Sequence, residues 1–346
     1  MNKHILVPLD GTIVAHMALP HAAALARATS SRLILLHVAP SRAANWHACG
    51  LSRATGATAT YRNQRDGFSL QHRYLEATAE DMQDERLLVQ TEILEGDPAS
   101  VITSMAEDNP SIWTIVMATR SMGNNRFVNH SVSEKVLRPS VPILLVHPDE
   151  KMDSLRPFYL PAYQTILVPL DGSEFAEQAL APAQMLAHAT GASLLLLSVV
   201  PDPYLGRVVR TADEAGGPYD KASEAHEGGR ADQAERTRGY LSKIADDLRS
   251  GGLAVRAEVA YGTPAEEVLR SADDAGAGLI VMSTCCRNDL ECLLGGRVVH
   301  KVTLAARLPV LLVRAQMAPC QERRNEELSA RSSAKEVVAQ QMPTRV

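Results

Sequence analysis

The chain has 346 residues, of which 45% are hydrophobic and 4% aromatic, and its formal net charge is −5. This length suits two domains of ordinary size. The composition predicts aliphatic, Ala-rich cores in which helices pack on a sheet of Val, Leu and Ile. The mild charge gives no reason to expect nucleic acid or an acidic membrane surface as a main partner. Because we find neither a signal-peptide pattern nor an apolar run as long as a membrane span, we expect a cytoplasmic protein.

One eight-residue stretch occurs twice. Residues 5–12 read Ile-Leu-Val-Pro-Leu-Asp-Gly-Thr, and residues 166–173 read Ile-Leu-Val-Pro-Leu-Asp-Gly-Ser. Asp10 and Asp171 are thus 161 residues apart (171 − 10). Each copy predicts a buried strand, a tight turn and the N-cap of a helix. Such a turn lies where open α/β sheets bind ligands, at the carboxyl ends of the strands.

Helices and strands alternate after the first copy. The predicted strands are the run ending at Pro8 and residues 32–38, 89–94, 113–117 and 141–146. The predicted helices are 13–28, interrupted near Pro20, then 70–86, one opened by Gly96-Asp97-Pro98, and 132–138. This alternation predicts a parallel, doubly wound, five-stranded sheet.

The same elements return after the second copy. Its predicted strands are the run ending at Pro169 and residues 194–200, 253–259, 278–282 and 308–313. Its predicted helices are 174–190, 234–248 and one opened by Gly262-Thr263-Pro264. Polar stretches at 41–68 and 202–232 occupy corresponding places in the two copies. Each such stretch either covers a ligand or is a surface loop.

The pattern divides the chain into four parts. We predict a first domain over 1–148, a Pro-containing linker over 149–163 and a second domain over 164–314. The remainder, 315–346, is rich in Gln, Glu, Arg and Ser and has too few apolar residues for a core, so we expect it to be disordered.

Residues with catalytic or metal-binding chemistry form no familiar motif. The five cysteines are odd in number and favour reduced thiols, with redox sensing by Cys285 and Cys286 as the weaker alternative. His37 is expected to pack within a strand, and His130 has no evident nucleophile or carboxylate partner. We find no catalytic triad, Walker A loop or metal-ligand cluster. We therefore expect no enzyme and no metal.

Several short motifs occur in order, three of them in both copies, and together they resemble the universal stress protein family, here as a tandem two-domain member. They are the opening Ile-Leu-Val-Pro-Leu-Asp-Gly stretches, Leu-Leu-His-Val at 35–38, Gly-x-Pro at 96–98 and 262–264, the helix at 131–138, and the apolar closing strands. The resemblance implies two adenine nucleotide alpha hydrolase-like domains of the universal stress protein fold. It also implies that the closing strands mediate dimer contact, so the two copies would pair internally as a pseudo-dimer, and the chain could also form a homodimer.

In the ATP-binding branch of that family, the loop after the fourth strand reads Gly-x₂-Gly-x₉-Gly-[Ser/Thr]. Glycines let the backbone approach phosphates, and a helix N-terminus favours the anion. Carried over by resemblance, the candidate nucleotide contacts are Pro8, Asp10, Val38, Ser131, Val132, Pro169, Asp171, Val199, Gly296 and Arg297. Asp10 and Asp171 are alternatively Asx turns that cap a helix, and Ser131 is alternatively a plain cap.

Both copies depart from this loop. In the first, Ala118 and Ser121 replace the first two glycines and His130 replaces the third, so only the hydroxyl of Ser131 keeps its type.

In the second copy, Ser283 and Cys286 replace the first two glycines, Gly296 is kept, and Arg297 replaces the hydroxyl residue. Arg297 either pairs with a phosphate or is solvated. The retained Gly296 makes the second half the better candidate for binding.

We therefore expect a non-enzymatic stress-response module with degenerate adenine-nucleotide sites, so that binding of ATP or another adenine nucleotide is weak or lost. The alternatives are an ATP-binding switch with slow hydrolysis, and an interaction scaffold whose crevices are filled by side chains.

Overall fold

The computed structural model describes most of both repeats. The described residues are 3–39, 64–84, 87–119, 132, 136, 141–147, 163–201, 220–284 and 297–315, with side chains left undescribed at 64–69, 220–231 and 297. The predicted linker, apart from Tyr163, and the predicted tail beyond Ala315 lie outside these residues. So does most of the predicted helix 132–138, of which the structure describes Val132 and Val136.

The elements of the first half alternate as predicted. They are β1 (His4–Pro8), α1 (Ile13–His16), α2 (Ala18–Thr29), β2 (Arg32–Ala39), α3 (Gln64–Met82), β3 (Val89–Glu95), α4 (Pro98–Asp108), β4 (Ile112–Ala118) and β5 (Ile143–Val146). The second half repeats this order. Its elements are β6 (Thr165–Pro169), α5 (Glu174–Glu177), α6 (Leu180–Thr190), β7 (Ser193–Pro201), α7 (Asp220–Ser250), β8 (Val255–Gly262), α8 (Pro264–Asp274), β9 (Leu279–Thr284), α9 (Arg297–Ala305) and β10 (Val310–Arg314).

All ten strands form one sheet in the order β3-β2-β1-β4-β5-β10-β9-β6-β7-β8. Within each half the strands are parallel, which confirms the predicted α/β class. The strand order reverses between β1 and β4, and again between β6 and β9. A doubly wound sheet opens its ligand crevice at such a point, outside the carboxyl ends of the strands.

The two halves join through their fifth strands, as the resemblance implied. β5 and β10 pair antiparallel, with Leu144 opposite Leu311. Beside this junction, Nε2 of the buried His147 lies 2.6 Å from the carbonyl oxygen of Thr303 on α9. Because a carbonyl can only accept, Nε2 carries the proton. A strand edge that would otherwise be open is thus paired within the chain.

Two apolar layers enclose the sheet. Side chains alternate along each strand, so that Ile5 and Val7 join the layer of α2 and α3, whereas Leu6 joins the layer of α4. The second half adds α6 and α7 to the first layer and α8 and α9 to the other. Strands buried on both faces read as continuous apolar runs, which is why the sequence predicted them well.

The helix after each repeated turn is broken, and here the sequence was partly misread. The break in the first half falls at Met17, one turn before Pro20. In the second half a continuous helix over 174–190 was predicted, but α5 ends at Glu177 and α6 begins at Leu180. Pro182 is the third residue of α6, as Pro20 is of α2. A proline ring clashes with the carbonyl four residues earlier, so it ends the preceding helical turn.

Both polar stretches were predicted too long. α3 already begins at Gln64 and α7 at Asp220, so 64–68 and 220–232 are helical rather than irregular. Residues 40–63 and 202–219 lie outside the described residues. In the described part of the chain, no helix combines the length and the hydropathy needed to cross a membrane.

Candidate functional site

The turn after β1 is built by Asp10, Gly11 and Thr12. Oδ1 of Asp10 accepts hydrogen bonds from the backbone N of Thr12 at 3.0 Å and from its hydroxyl at 2.6 Å. The Thr12 hydroxyl in turn accepts from the backbone N of Ala15 and caps α1. Gly11 has φ +81°, a left-handed conformation that favours glycine. Asp10 therefore shapes an Asx turn, and the helix cap is Thr12 rather than the aspartate.

The turn after β6 repeats this geometry. Oδ1 of Asp171 accepts from the backbone N of Ser173 at 3.0 Å and from its hydroxyl at 2.5 Å. The Ser173 hydroxyl accepts from the backbone N of Ala176, and Gly172 has φ +82°. Both aspartates are exposed at the carboxyl end of their strands. Each aspartate thus lies where the strand order of its half reverses, and its contacts are those of the Asx turn that the sequence offered as an alternative.

The prolines and valines inferred from the resemblance lie beside these turns. Pro8 and Pro169 end β1 and β6 and are half-buried. Val38 and Val199 lie near the ends of the neighbouring strands β2 and β7, half-buried in the layer of α4 and α8. Each half therefore brings its proline, aspartate and valine to the same edge of the sheet.

His37 fastens two of these strands together. It is buried on β2, and its Nδ1 lies 2.9 Å from the carbonyl oxygen of Leu9, so Nδ1 carries the proton. This contact holds the end of β1 against β2 immediately before Asp10. The predicted packed role of His37 is confirmed.

A tyrosine within the predicted helix 70–86, to which the sequence assigned no site role, reaches the first turn. The hydroxyl of Tyr74 on α3 lies 2.5 Å from Nε2 of His16, and the two rings stack with centroids 5.5 Å apart. Burial and the negative charge of Asp10 raise the pKa of Tyr74 to about 12, against hydrogen bonds from Thr78 and the Gly11 backbone that lower it. Burial lowers the pKa of His16, and Asp10 opposes this. A neutral His16–Tyr74 pair therefore lines the first turn.

Tyr240 on α7 has the corresponding position in the second half. Its hydroxyl donates to Oε1 of Glu177 at 3.0 Å. Burial raises the pKa of Tyr240, and the hydrogen bond to Glu177 and the charges of Glu177 and Asp171 raise it further. The second turn therefore carries a carboxylate where the first carries an imidazole.

The structure describes only the first and last parts of the predicted phosphate loops. Ser131 and Gly296 lie outside the described residues, as do Ser121, His130 and Cys286. Val132 is helical and half-buried against the layer of α4, and Arg297 is the first residue of α9. Ala118 ends β4 and Ser283 lies in β9, so both positions are at the crevice edge. Among the described residues, no three His, Cys, Asp or Glu side chains gather as a metal site would require.

Comparison with known proteins agrees with the geometry. The model of the universal stress protein family matches residues 1–147 and 162–314. A universal stress protein of Methanocaldococcus jannaschii is 30% identical over 153 residues, which is 44% of this chain and 82% of the relative. A universal stress protein of Thermus aquaticus is 34% identical over 155 residues, or 44% of this chain and 99% of the relative.

Solved structures show the same fold over both halves. A universal stress protein of Archaeoglobus fulgidus superimposes with a TM-score of 0.63 at 18% identity, covering 90% of this chain and 96% of its own. A protein of Pseudomonas aeruginosa UCBPP-PA14 gives 0.53 at 18% identity, covering 91% and 94%. With both halves matched in sequence and in fold, the chain belongs to the universal stress protein family and carries two of its domains in tandem.

Proposed function

We propose that this universal stress protein is a non-enzymatic regulatory module whose adenine-nucleotide sites are degenerate, so that nucleotide binding is weak or lost. The observation that carries the proposal is the loss of glycine at the crevice edge of both halves. Ala118 pairs with Val146 at the end of β4, and Ser283 pairs with Val313 in β9. A Cβ at these positions stands where a phosphate-binding loop needs bare backbone.

The aspartates support the same reading. Oδ1 of Asp10 and Oδ1 of Asp171 each accept two hydrogen bonds within their own turn. These bonds account for an aspartate at both positions without a ligand. The expected cytoplasmic location and the absence of enzymatic activity belong to this proposal. In it, the protein acts through ligand- or partner-dependent association.

Titration of the full chain with a fluorescent ATP analogue, with and without Mg²⁺, tests the proposal. We expect Kd values of about 1 mM or weaker, which correspond to roughly 4 kcal/mol of binding free energy or less. At 5 mM ATP such a site stabilises the folded state by about 1 kcal/mol. The accompanying thermal shift is then small or absent.

The competing outcome is an ATP-binding switch with slow hydrolysis. Submicromolar binding, or phosphate release above a protein-free control, would establish that alternative and overturn the proposal. Replacing Gly296 with Trp then separates the two halves, because a second-half site that uses this glycine loses its affinity on substitution.

A further inference from the structure

The two crevices differ in charge. Because the two halves are repeats of each other, the residues around one crevice can be compared one by one with the corresponding residues around the other. Around the turns, corresponding residues are 161 positions apart, as Asp10 and Asp171 are. On α3 and α7 the offset is 166 (241 − 75): the buried Leu75 corresponds to the buried Leu241. The same offset relates Tyr74 to Tyr240. The tyrosine is thus shared, and both copies reach the turn that follows the first strand of their half.

The partner of this tyrosine changes from neutral to acidic. His16 contacts Tyr74 in the first half, and Glu177 occupies the place of His16 in the second, 3.0 Å from the hydroxyl of Tyr240. Because burial lowers the pKa of His16, the imidazole is neutral at physiological pH. Glu177 brings a carboxylate close enough to Asp171 for both charges to act on Tyr240.

Exposed residues on the helices that border the two crevices, here called the rims, also carry more charge in the second half than in the first. Ile13, the first residue of α1, is 70% exposed, and Leu70, one helical turn before Tyr74 on α3, is 63% exposed. Glu174 and Arg236 stand at these two positions in the second half, and both are exposed. At the five described positions compared, the second half therefore has three carboxylates and one guanidinium beside its tyrosine, whereas the first has one carboxylate, two apolar side chains and the His16–Tyr74 pair.

We propose that the first half alone binds nucleoside phosphates, and that Glu177 and Glu174 exclude these anions from the second half. This inference rests on the residual nucleotide binding of the proposed function. It reverses the ranking that the retained Gly296 suggested from sequence. The reason is electrostatic: like charges placed against an anionic ligand disfavour its binding, and such repulsion can set specificity even where a favourable contact is retained.

Photolabelling of the full chain with 8-azido-ATP, followed by peptide mapping, locates the bound nucleotide. We expect label in peptides from 3–39 and 64–84 and at least ~10-fold less in those from 163–201 and 232–250. Uncharged 8-azidoadenosine should label the halves far more evenly, because its exclusion has no electrostatic component. Higher ionic strength should raise the ratio of second-half to first-half ATP label, because salt screens exposed charges.

Reciprocal grafts identify the residues responsible. The double variant Glu174→Ile/Glu177→His should acquire second-half label, and Ile13→Glu/His16→Glu should lose first-half label, each by roughly 10-fold. Asp247→His, on the exposed last turns of α7 at the amino end of the outermost strand β8, removes one carboxylate at the edge of the sheet opposite the second crevice and should leave the pattern unchanged. A thermal unfolding curve for each variant shows whether it is folded.

The outcomes separate this inference from the proposed function. Equal ATP labelling of both halves, or equal exclusion of ATP and adenosine from the second half, overturns the inference and leaves weak nucleotide binding standing. Grafts that fold normally and leave the label where it was also overturn it. If the fluorescent titration detects no binding to the wild type or to the Glu174→Ile/Glu177→His variant, the residual nucleotide site is lost and the inference with it.

Discussion

The hydroxyl of Tyr163, two residues before β6, lies 2.8 Å from Nδ1 of His21 on α2, and both side chains are buried. A residue that leads into the second half is thus anchored in the core of the first. The tilted rings, with centroids 6.0 Å apart, pack in the layer that α2 and α6 share. This pair fixes where the second half begins relative to the first.

The buried His21 should make the protein sensitive to acid. Burial lowers the pKa of His21 to about 4 from an ordinary value of 6.5. Between pH 4 and pH 6.5, His21 is protonated in the unfolded chain but neutral in the folded chain. The free energy of unfolding therefore falls as the pH drops from 6.5 to 4, and His21 does not change it above pH 6.5. The loss is at most about 3 kcal/mol.

Urea unfolding at pH 7 and at pH 4.5 measures this effect. His21→Gln keeps a hydrogen-bonding partner for Tyr163 but does not titrate, so its free energy of unfolding should fall less between the two pH values than that of the wild type. An identical fall in both proteins would show that other groups account for the acid sensitivity.

The same glycine substitution should have opposite signs at two places. Gly172 has φ +82° with open space around the position of a Cβ, so Gly172→Ala suffers backbone strain alone and should destabilise by about 1–2 kcal/mol. Gly239 lies inside α7, also in open space, and Gly239→Ala should stabilise by about 0.5–1 kcal/mol. Thermal unfolding of the two variants measures both effects, and a lower melting temperature for Gly239→Ala would contradict the prediction.

The short helices α1 and α5 should each need a hydroxyl side chain as N-cap, but Ser and Thr should serve about equally well there. Thr12→Ala removes the acceptor for the backbone N of Ala15 and should cost about 1 kcal/mol of unfolding free energy. Thr12→Ser keeps the oxygen, as Ser173 does in the other half, and should cost only a few tenths of a kcal/mol. Equal losses for Ala and Ser, measured by denaturant titration, would mean that the methyl group matters and the cap does not.

The chain should sediment as a monomer of 37.4 kDa. The fifth strand of each half is already paired with its counterpart, so neither offers an open edge to a second chain. Sedimentation equilibrium at several protein concentrations measures this. A stable species of twice the mass would require a separate interface.

Local patterns explain what the sequence could predict. Strands β1 and β6, inside the sheet, are apolar runs that end at Pro, and the turns at Asp10 and Asp171 are formed by residues that are neighbours in sequence. The breaks one turn before Pro20 and Pro182 follow from a local clash that the predicted helix over 174–190 overlooked. Strands, turns and helix breaks that depend on residues close in sequence are therefore predictable from the sequence.

The contact of Tyr74 with the first turn could not be read in the same way, because 58 residues separate it from His16. Only the alignment of the repeats offers a signal, since Tyr74 and Tyr240 share the offset of the buried Leu75 and Leu241. The exchange of His16 for Glu177 is visible in that alignment too. Its meaning depends on knowing which side chains meet at the turn.

The antiparallel junction of β5 and β10 joins two domains of one chain, and this affects how their crevices can evolve. A symmetric pair of identical subunits must alter both of its pockets with every mutation, whereas a covalent fusion lets each pocket drift by itself. The antiparallel junction also places the carboxyl ends of the strands of the two halves at opposite edges of the sheet. One polypeptide can thus carry two crevices that differ in charge, as the exchange of His16 for Glu177 illustrates.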